Sequence, residues 1–345
     1  WTLAVMPKTS SVSIFSDDSE LLPITNRAGK TTGAYLCRLD LYCHTLQLQA
    51  ERTYLDNGVS CQSSDCITWS SSNIRAATVD ETGYVTAVAA GNAVITAKAN
   101  DGSGKKATFS IRVINPASSL TLSSKAPGGS QYVAYGKTVG IRAALGDTYG
   151  KPSITALNWS FVAYRSNVPD YVLTEELTAR KLVTLGANGT LTVKSGAASM
   201  GIGSLRVTAD TTDGSNLSDE IVIYPVAATT KLQLFDYEIN ASTRQLDLLG
   251  VMKTVHLQLN TSAVENSKLL YISSDGICDD FAVSSRNPRI AGGYVIRQTY
   301  RDAEGNYQSG VFLQIYSGMK TGDTAIQVKA CDGSGKTATV VVRVR

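Results

Sequence analysis

The 345-residue sequence has only two histidines, His44 and His256, and they lie far apart in the chain. Histidine-based metal sites need several ligands close together, so most sites of that kind are excluded. A Ser-His-Asp or Cys-His triad would have only these two residues to serve as its base. The sequence contains neither a glycine-rich phosphate loop nor a His-Glu-x-x-His pattern. We therefore predict no catalytic, metal or cofactor site, and a protein that is not an enzyme.

Charge and long apolar runs are also scarce. Charged residues make up 18% of the chain, the formal net charge is +3, and lysine and arginine never form a run of five. We therefore expect no nucleic-acid partner. The longest apolar stretches, such as Ile221–Val226, are far shorter than the ~18–20 residues of a membrane span, so we expect no span in this chain. Hydrophobic residues, at 43%, are nevertheless enough for packed cores, and we expect an ordered monomer.

One turn motif recurs along the chain. The sequence Asp-Gly-Ser-Gly-Lys occurs at 101–105 and at 332–336, and a degenerate copy, Thr-Asp-Gly-Ser, occurs at 212–215. An alternating apolar run lies on each side of every copy, and two such runs joined by Asp-Gly indicate a β-hairpin. Short alternating strands, with no long amphipathic helix, predict an all-β chain of three tandem β-sandwiches.

Two further landmarks precede each turn, an aromatic residue that opens a strand and a glycine just before a later strand. The aromatic residues are Trp69, Trp159 and Tyr271, and the glycines are Gly83, Gly189 and Gly310. The spacing between them is 14, 30 and 39 residues, which predicts insertions at about 161–185 and 276–309. A helix-like stretch at 174–181 predicts one or two helical turns in the first insertion. Variable loops on a fixed scaffold are where binding surfaces usually lie.

Upstream of the aromatic residue, alternating runs at 46–49, 139–142 and 255–258 predict one half-buried strand in each copy. Short joints of small or polar residues at 115–118 and 227–230 separate the copies. Residues 2–7 are similar to residues 111–116, which favours residues 1–6 as the tail of a further unit upstream. The alternative is that residues 1–6 form the first strand of the first domain. We predict domains at residues 1–115, 116–228 and 229–345.

Four segments of the first copy carry a family resemblance. They are Ile67–Asn73, Ala77–Asp80, Gly83–Gly91 and Ala93–Ala97. Together they resemble the group 2 bacterial immunoglobulin-like domain, closely from Thr45 to Val113. The third copy matches at 272–275 and from Gly322 onward, whereas the second keeps only the aromatic residue, the glycine and the final hairpin. The resemblance implies immunoglobulin-like sandwiches of about seven strands, insertions in the second and third, an exported bacterial protein and no catalytic residues.

Six cysteines are divided between the first copy, which has four, and the third, which has two. Even numbers in each domain fit disulfides in an oxidising compartment. In the third copy only Cys278–Cys331 can form within the domain. In the first copy three pairings exist, and we favour the local pairs Cys61–Cys66 and Cys37–Cys43. A zinc site on these four cysteines is a weaker alternative, because zinc knuckles usually have spacings of two to four.

Tyrosine is in surplus, with 16 residues. Its flat apolar ring and hydroxyl suit recognition of sugars and proteins. The tyrosines of the two insertions form a candidate recognition surface for a glycan or protein ligand of unknown identity, unless they pack onto the sandwiches instead. They are Tyr164 and Tyr171 in the second copy, and Tyr294, Tyr300 and Tyr307 in the third.

The remaining polar groups have simpler structural explanations. One aspartate in each Asp-Gly turn is far short of the six to eight oxygen ligands of Ca²⁺, and turn chemistry alone explains both residues. His256 is predicted on the outward face of its strand. His44 directly follows Cys43, and adjacent strand residues face opposite ways, which argues against a catalytic Cys-His pair.

Three functions are compatible with these predictions. The first is a non-catalytic stalk or adhesion segment of a bacterial cell-surface or secreted protein. The second is a binding module for a glycan or host protein through the inserted loops. The third is a set of accessory domains in a larger extracellular enzyme. Within this chain, only the loop acids Asp279-Asp280 and Asp302/Glu304 resemble the carboxylate pair of a glycosidase.

Overall fold

The computed structural model describes residues 7–16, 22–37, 44–56, 59–166, 168–259 and 266–345. The predicted all-β class is confirmed: strands dominate, and the one α-helix in the described residues is α1 (Thr174–Ala179). Contacts divide the chain into two compact units. One unit contains residues up to 120 with 145–157 and 211–217, and the other contains 121–144, 158–210 and 218–345.

The first sandwich uses the strands between Thr9 and Ile114. These are β1 (Thr9–Phe15), β2 (Leu22–Thr25), β3 (Thr31–Cys37), β4 (Thr45–Gln47), β5 (Gln49–Asp56), β6 (Val59–Ser63), β7 (Ile67–Ser71), β8 (Ala77–Val79), β9 (Tyr84–Ala87), β10 (Gly91–Ala99) and β11 (Lys106–Ile114). Its main sheet has the order β2-β3-β11-β10-β7, and β4-β9-β8 and β1-β5-β6 form two smaller sheets. Alternation fixes the core, since Ala93, Ile95 and Ala97 of β10 are buried while Val94 is exposed.

The second sandwich runs from Leu120 to Val226. Its strands are β12 (Leu120–Ser124), β13 (Tyr132–Ala134), β14 (Lys137–Leu145), β15 (Leu157–Arg165), β16 (Val168–Val172), β17 (Val183–Leu185), β18 (Thr190–Val193), β19 (Ile202–Thr211) and β20 (Ser218–Val226). The sheets have the orders β13-β20-β19-β15-β16 and β12-β14-β18-β17. Strand β16 and helix α1 lie between β15 and β17, where the sequence predicts an insertion with one or two helical turns.

The third sandwich runs from Leu232 to Val344. Its strands are β21 (Leu232–Ile239), β22 (Leu246–Val251), β23 (Thr254–Leu257), β24 (Ser267–Ser274), β25 (Phe281–Ser285), β26 (Ala291–Arg301), β27 (Tyr307–Ser317), β28 (Gly322–Ala330) and β29 (Thr337–Val344). The sheets have the orders β22-β21-β24-β27-β26 and β23-β29-β28-β25. Their facing sides enclose one core, which includes Leu270, Leu313, Ile326 and Val342.

All three sandwiches share two pairing rules. The strands that flank each Asp-Gly turn are antiparallel partners, β10 with β11, β19 with β20 and β28 with β29, which confirms the three predicted hairpins. The last strand also pairs in parallel with an early strand, β11 with β3, β20 with β13 and β29 with β23. The three copies are therefore tandem immunoglobulin-like sandwiches.

In the first two copies the aromatic and glycine landmarks meet. Gly83 has a φ of +84°, and a Cβ placed there would lie 2.9 Å from Cζ2 of Trp69. Gly189 has a φ of +73°, and its Cβ would lie 2.9 Å from Cη2 of Trp159. Each glycine therefore serves two purposes, because it allows the left-handed turn and leaves room for the indole ring.

In the third copy, the prediction that Tyr271 is the counterpart of Trp69 is wrong. Tyr271 lies on β24, which pairs with β21 and β27, whereas Trp69 lies on β7, which pairs with β10. The true counterpart of β7 is β25, which pairs with β28. The turn after each strand is the same, since the hydroxyl of Ser71 donates to Ala77 O and that of Ser285 donates to Ala291 O. The third copy has an aliphatic residue, Val283, on this strand, so the search for an aromatic residue selected the preceding strand.

The predicted insertion at 276–309 is shifted for the same reason. The hairpin after β25 is lengthened: Ala77 faces Ala87 in the first copy, whereas Ala291 faces Ser317 in the third. Gly310 lies within β27 and is not a turn glycine; the turn glycine here is Gly305, with a φ of +85°. The run at 255–258 forms the parallel strand β23 rather than the counterpart of β4. The long antiparallel ribbon β26–β27 is the main addition to the third sandwich.

Candidate functional site

The Asp-Gly turn of the second sandwich holds the start of its own domain. Asp213 is 1% exposed, and its Oδ2 accepts a hydrogen bond from the backbone N–H of Ala117 at 2.7 Å. Its Oδ1 accepts from the backbone N–H of Ser215 at 3.0 Å. One carboxylate therefore ties the joint before β12 to the turn between β19 and β20.

The other two turns repeat this arrangement. Asp332 is fully buried, and its Oδ2 accepts from the N–H of Thr229 at 2.7 Å while Oδ1 accepts from the N–H of Ser334 at 2.8 Å. In the first sandwich Asp101 accepts from the backbone N–H of Thr9. Turn chemistry alone, which the sequence suggested for these aspartates, is therefore incomplete. Each aspartate pins the entry of the chain into its domain, and we call the three of them the joint aspartates.

The joint aspartates of the first and third sandwiches are held in their charged form. Hydrogen bonds from Ser103 and Thr9 lower the pKa of Asp101. Burial raises the pKa of Asp332, but hydrogen bonds from Ser334 and Thr229 outweigh it, so the net pKa is lowered. A buried charge that is fully hydrogen-bonded costs less than an unpaired one, and here it fixes a backbone position.

A second carboxylate secures the entry to the third sandwich. Oδ1 of Asp275 accepts from the N–H groups of Thr230 and Lys231, both at 2.8 Å, and the Thr230 hydroxyl donates to Oδ2. The hydroxyl contact, followed by the N–H of Lys231, lowers the pKa of Asp275 to about 2. Three successive backbone N–H groups, from Thr229 to Lys231, are thus held by two carboxylates.

The third sandwich also contacts the second at this turn. The carbonyl oxygen of Asp332 accepts a hydrogen bond from the N–H of Ala134, on β13, at 2.7 Å. A cavity of about 230 Å³ lies beside this contact, with Lys125, Tyr132 and Thr138 on one side and residues 331–333 on the other. Residue 332 therefore links the β28–β29 turn to both strand β13 and the joint at Thr229.

The predicted recognition tyrosines of the second sandwich lie on β15 and β16. The ring of Tyr164 is half-buried, with the guanidinium carbon of Arg206 5.5 Å from its centroid. Arg206 pairs in turn with Glu220, at 3.6 Å between Nε and Oε2. Tyr171 lies on β16, and its side chain is outside the described part of the structure. Sequence reasoning missed Arg206 and Glu220, which lie on strands distant from Tyr164 in sequence.

Tyr294 and Tyr300 of the third sandwich project from the same face of β26 but differ in exposure. Tyr294 and Tyr300 are six residues apart on β26, which is roughly 20 Å along a strand. Tyr294 is 53% exposed and lies 6.1 Å from the ring of Tyr316. Tyr300 instead packs edge-on against Tyr271, with ring centroids 6.2 Å apart. Tyr300 is therefore partly covered by its neighbours on this face of the sheet, whereas Tyr294 remains exposed.

Tyr307, at the tip of the ribbon, is 69% exposed. The guanidinium of Arg301 lies 4.8 Å from its ring centroid, and Nη2 donates to the Tyr307 hydroxyl at 3.1 Å. This hydrogen bond lowers the pKa of Tyr307. The tip presents a ring with a cation beside it, an arrangement that suits polar partners.

An aromatic cluster that the sequence did not reveal lies beneath the ribbon. Phe312 is fully buried, and its ring centroid is 4.9 Å from that of Tyr237 and 5.4 Å from that of Tyr271. Burial, followed by the hydrogen bond between the Tyr271 and Tyr300 hydroxyls, raises the pKa of Tyr271 to about 12. These rings come from β21, β24, β26 and β27, so no single stretch of sequence shows the cluster.

The cysteines of the first copy are only partly described. Cys37, at the end of β3, is disulfide-bonded, and its predicted partner, Cys43, lies outside the described residues. Cys61 lies on β6 opposite Tyr54, with its side chain outside the described part. The pair Cys61–Cys66 therefore stays a prediction.

The two cysteines of the third copy are close together as thiols. The N–H of Cys331 donates to Asp280 O at 3.1 Å, and the Cys278 thiol donates to the same oxygen at 3.5 Å. Both residues are 1% exposed.

The acidic loop clusters are engaged in structural contacts. Arg297 Nη2 lies 3.2 Å from both Asp279 Oδ2 and Asp280 Oδ1. Asp302 Oδ1 accepts from the N–H of Asn306 at 2.8 Å, and Oδ2 accepts from Gln308 at 2.9 Å. The described residues contain no group of three or more His, Cys, Asp or Glu side chains arranged to hold a metal. None of their helices has the length and hydrophobicity to cross a bilayer.

One part of the chain matches a known protein family. Residues 44–109, from just before β4 into β11, match the bacterial Ig-like domain (group 2). No protein of curated function matches the sequence.

Similar solved structures include the S-layer protein rSbsC(31-844), at 12% identity and a TM-score of 0.23, covering 98% of this chain and 40% of that one. The Escherichia coli adhesin FdeC is 13% identical, with a TM-score of 0.27 and full coverage of both chains. A C-terminal 282-residue intimin fragment, solved with the intimin-binding domain of its translocated receptor, is 14% identical, with a TM-score of 0.26. The match covers 58% of this chain and 62% of that one. The chain spans 40–48% of the length of the first S-layer chains it matches. At such TM-scores these likenesses support no argument about function.

Proposed function

Because residues 44–109 belong to the group 2 bacterial Ig-like family and the other two copies repeat the same pairing rules, we propose that the chain is a non-catalytic spacer. In this proposal it is a tandem Ig-like segment of a bacterial cell-surface or secreted protein, and it holds an adjoining part of that protein away from the cell. The spacer role requires no binding partner for this segment itself.

The observation that carries the proposal is the repeated joint aspartate. A flexible linker would leave the entry of each domain free, whereas Asp101, Asp213 and Asp332 each hold the first backbone N–H groups of their own domain. Hydrogen bonds from one to three backbone N–H groups to these carboxylates reduce the conformational freedom of the backbone at the start of each domain. Such joints favour stiff series of domains over independently moving ones.

A non-catalytic role is also consistent with the structural contacts of the loop carboxylates. Among the loop acids that resemble a catalytic pair, Asp279 and Asp280 are bound by Arg297, and Asp302 is bound by its own turn. A general acid or nucleophile needs a carboxylate directed into a cleft at substrate distance. The chain therefore acts by its shape, with any chemistry assigned to neighbouring parts of the protein.

Small-angle X-ray scattering of the 345-residue protein tests the spacer role. A compact particle of this length has a radius of gyration of about 20 Å. Three sandwiches of about 115 residues each, about 35–40 Å apart in a line, give roughly 30–35 Å. We expect a value in the second range that is independent of protein concentration, as for an extended monomer. A value near 20 Å contradicts the spacer proposal.

A second candidate function is recognition through the ribbon of the third sandwich. Tyr294 and Tyr307 are 53% and 69% exposed, whereas Tyr164 and Tyr300 are half-buried. We expect Tyr307→Ala and Tyr294→Ala to abolish binding to glycan-array hits of the wild-type protein. Tyr84→Ala, at a tyrosine 42% exposed on the first sandwich, serves as the control. An array without hits, or hits equally retained by all variants, rejects this candidate.

A further inference from the structure

The third sandwich contains a pair of buried thiols at one end. Cys278 lies in the loop that enters β25, and Cys331 directly follows β28. These strands are antiparallel, with Phe281 opposite Ala330, so the loop and the strand end pass beside each other. The carbonyl oxygen of Asp280 accepts from the backbone N–H of Cys331 and from the thiol of Cys278, and the Cys331 thiol donates to the carbonyl oxygen of Lys329 at 3.8 Å. The fold thus brings together two cysteines that are 53 residues apart in sequence.

Both thiols are protected from solvent. Each cysteine is 1% exposed, and burial raises the pKa of each thiol to about 11. Only a thiolate attacks a disulfide, so thiols with such values react slowly in the folded domain. Oxidation is therefore expected while the domain folds, and the product is then shielded from reductants.

The pair lies directly behind the contact with the second sandwich. Asp332 follows Cys331, and it accepts the N–H of Ala134 on its carbonyl and the N–H of Thr229 on its carboxylate. Cys331 also forms part of the wall of the 230 Å³ cavity at this contact. A covalent bond at Cys331 would therefore restrict the movement of the next residue, Asp332, which holds the joint at Thr229.

We propose that Cys278 and Cys331 form a disulfide that secures the end of the third sandwich facing the second. The Sγ–Sγ bond forms as the two thiols give up two protons and two electrons. The oxidant is a small or protein disulfide, which is reduced to two thiols in the exchange. The bond joins the β24–β25 loop to the β28–β29 turn. Formation during export rests on the proposed extracellular role, whereas the ability of the pair to bond depends on the fold alone.

The test uses the full chain, unfolded and reduced, then refolded in a buffer of oxidised and reduced glutathione. Remaining thiols are alkylated, and the protein is digested without reduction and analysed by mass spectrometry. We expect a linked peptide pair containing Cys278 and Cys331, with a mass two hydrogens below the sum of the two. Recovery of both cysteines as alkylated peptides from folded protein, or linked to cysteines of the first sandwich, overturns the proposal.

Two further measurements address the joint. Closing a 53-residue loop is expected to raise the Tm of the third sandwich by roughly 10 °C, and the reductant-sensitive part of this shift should be absent from a Cys278→Ala, Cys331→Ala variant. Hydrogen exchange at the Ala134 amide should be slower in the oxidised protein than in the reduced one. Equal exchange in both states shows that the bond does not secure the joint. Scattering data on the same oxidised sample separate a failure of this proposal from a failure of the spacer role.

Discussion

Replacing Asp332 with asparagine tests the joint aspartates directly, because the change removes the charge and keeps the shape of the side chain. The carboxylate accepts from Thr229 N–H at 2.7 Å and from Ser334 N–H at 2.8 Å in a fully buried position. Asparagine can keep one acceptor, toward Ser334, but its NH₂ group then faces the N–H of Thr229. Two donors are left facing each other, and one charge-assisted bond is lost.

Hydrogen bonds to charged groups contribute roughly 1.5–3 kcal/mol, so Asp332→Asn should lower the free energy of unfolding of the third sandwich by about 2 kcal/mol. For a domain of about 115 residues this is a fall in Tm of roughly 6–10 °C, measured by differential scanning calorimetry. The control is Asp302→Asn, because Asp302 caps an exposed turn of the same sandwich. If the two variants have the same Tm, the joint aspartate does not hold the domain entry as described.

The stability of the third sandwich should fall at low pH, when Asp332 and Asp275 become protonated. The folded pKa values of Asp332 and Asp275 lie below the usual aspartate value, so their contribution to stability is present above about pH 4. It is lost as the pH falls toward the lowered folded values, about 2 for Asp275. The difference in stability between wild type and Asp332→Asn should therefore be constant from pH 5 to 8 and shrink below pH 4. A difference that is the same at pH 2 as at pH 7 contradicts the charge-based explanation.

Two further substitutions probe the packing. Gly83→Ala places a Cβ 2.5 Å from Leu48 O and 2.9 Å from the Trp69 ring, and should cost about 3 kcal/mol in urea unfolding followed by tryptophan fluorescence. Gly102→Ala, with a similar φ of +73° and no atom within 4 Å, should cost only about 1 kcal/mol, and equal costs would reject the role of the indole. Tyr300→Ala should destabilise the third sandwich by about 2 kcal/mol by removing the ring from Tyr271, whereas the exposed Tyr307→Ala should change calorimetric stability by less than about 0.5 kcal/mol.

Local patterns in the sequence predicted the sandwiches well. Alternating apolar residues and Asp-Gly pairs are sufficient to place hairpins, because both signals depend only on neighbouring residues. Residues 174–181 likewise predicted the short helix α1. The Tyr271 landmark failed because residue type was used in place of pairing: an aromatic residue on β24 resembles one on β7 until the partner strands are known.

The site was harder to predict because its contacts are distant in sequence. Thr229 and Asp332 are 103 residues apart, so the aspartate could be understood only as a turn residue before the fold was known. The repetition of the aspartate in all three copies was the signal that could have pointed beyond turn chemistry. For the tyrosines, composition showed the surplus, and only packing separates Tyr300, which is half-buried against Tyr271, from the exposed Tyr294 and Tyr307.

The parallel pairing of an early strand with the last strand has a mechanical consequence for any protein pulled along its length. Tension applied to β23 and β29 in opposite directions shears their shared hydrogen bonds together rather than opening them one after another. The length of this ladder then sets how much load a sandwich tolerates. The ladder spans five residue pairs in the first sandwich, three in the second and four in the third, so we expect the middle sandwich to yield first under tension.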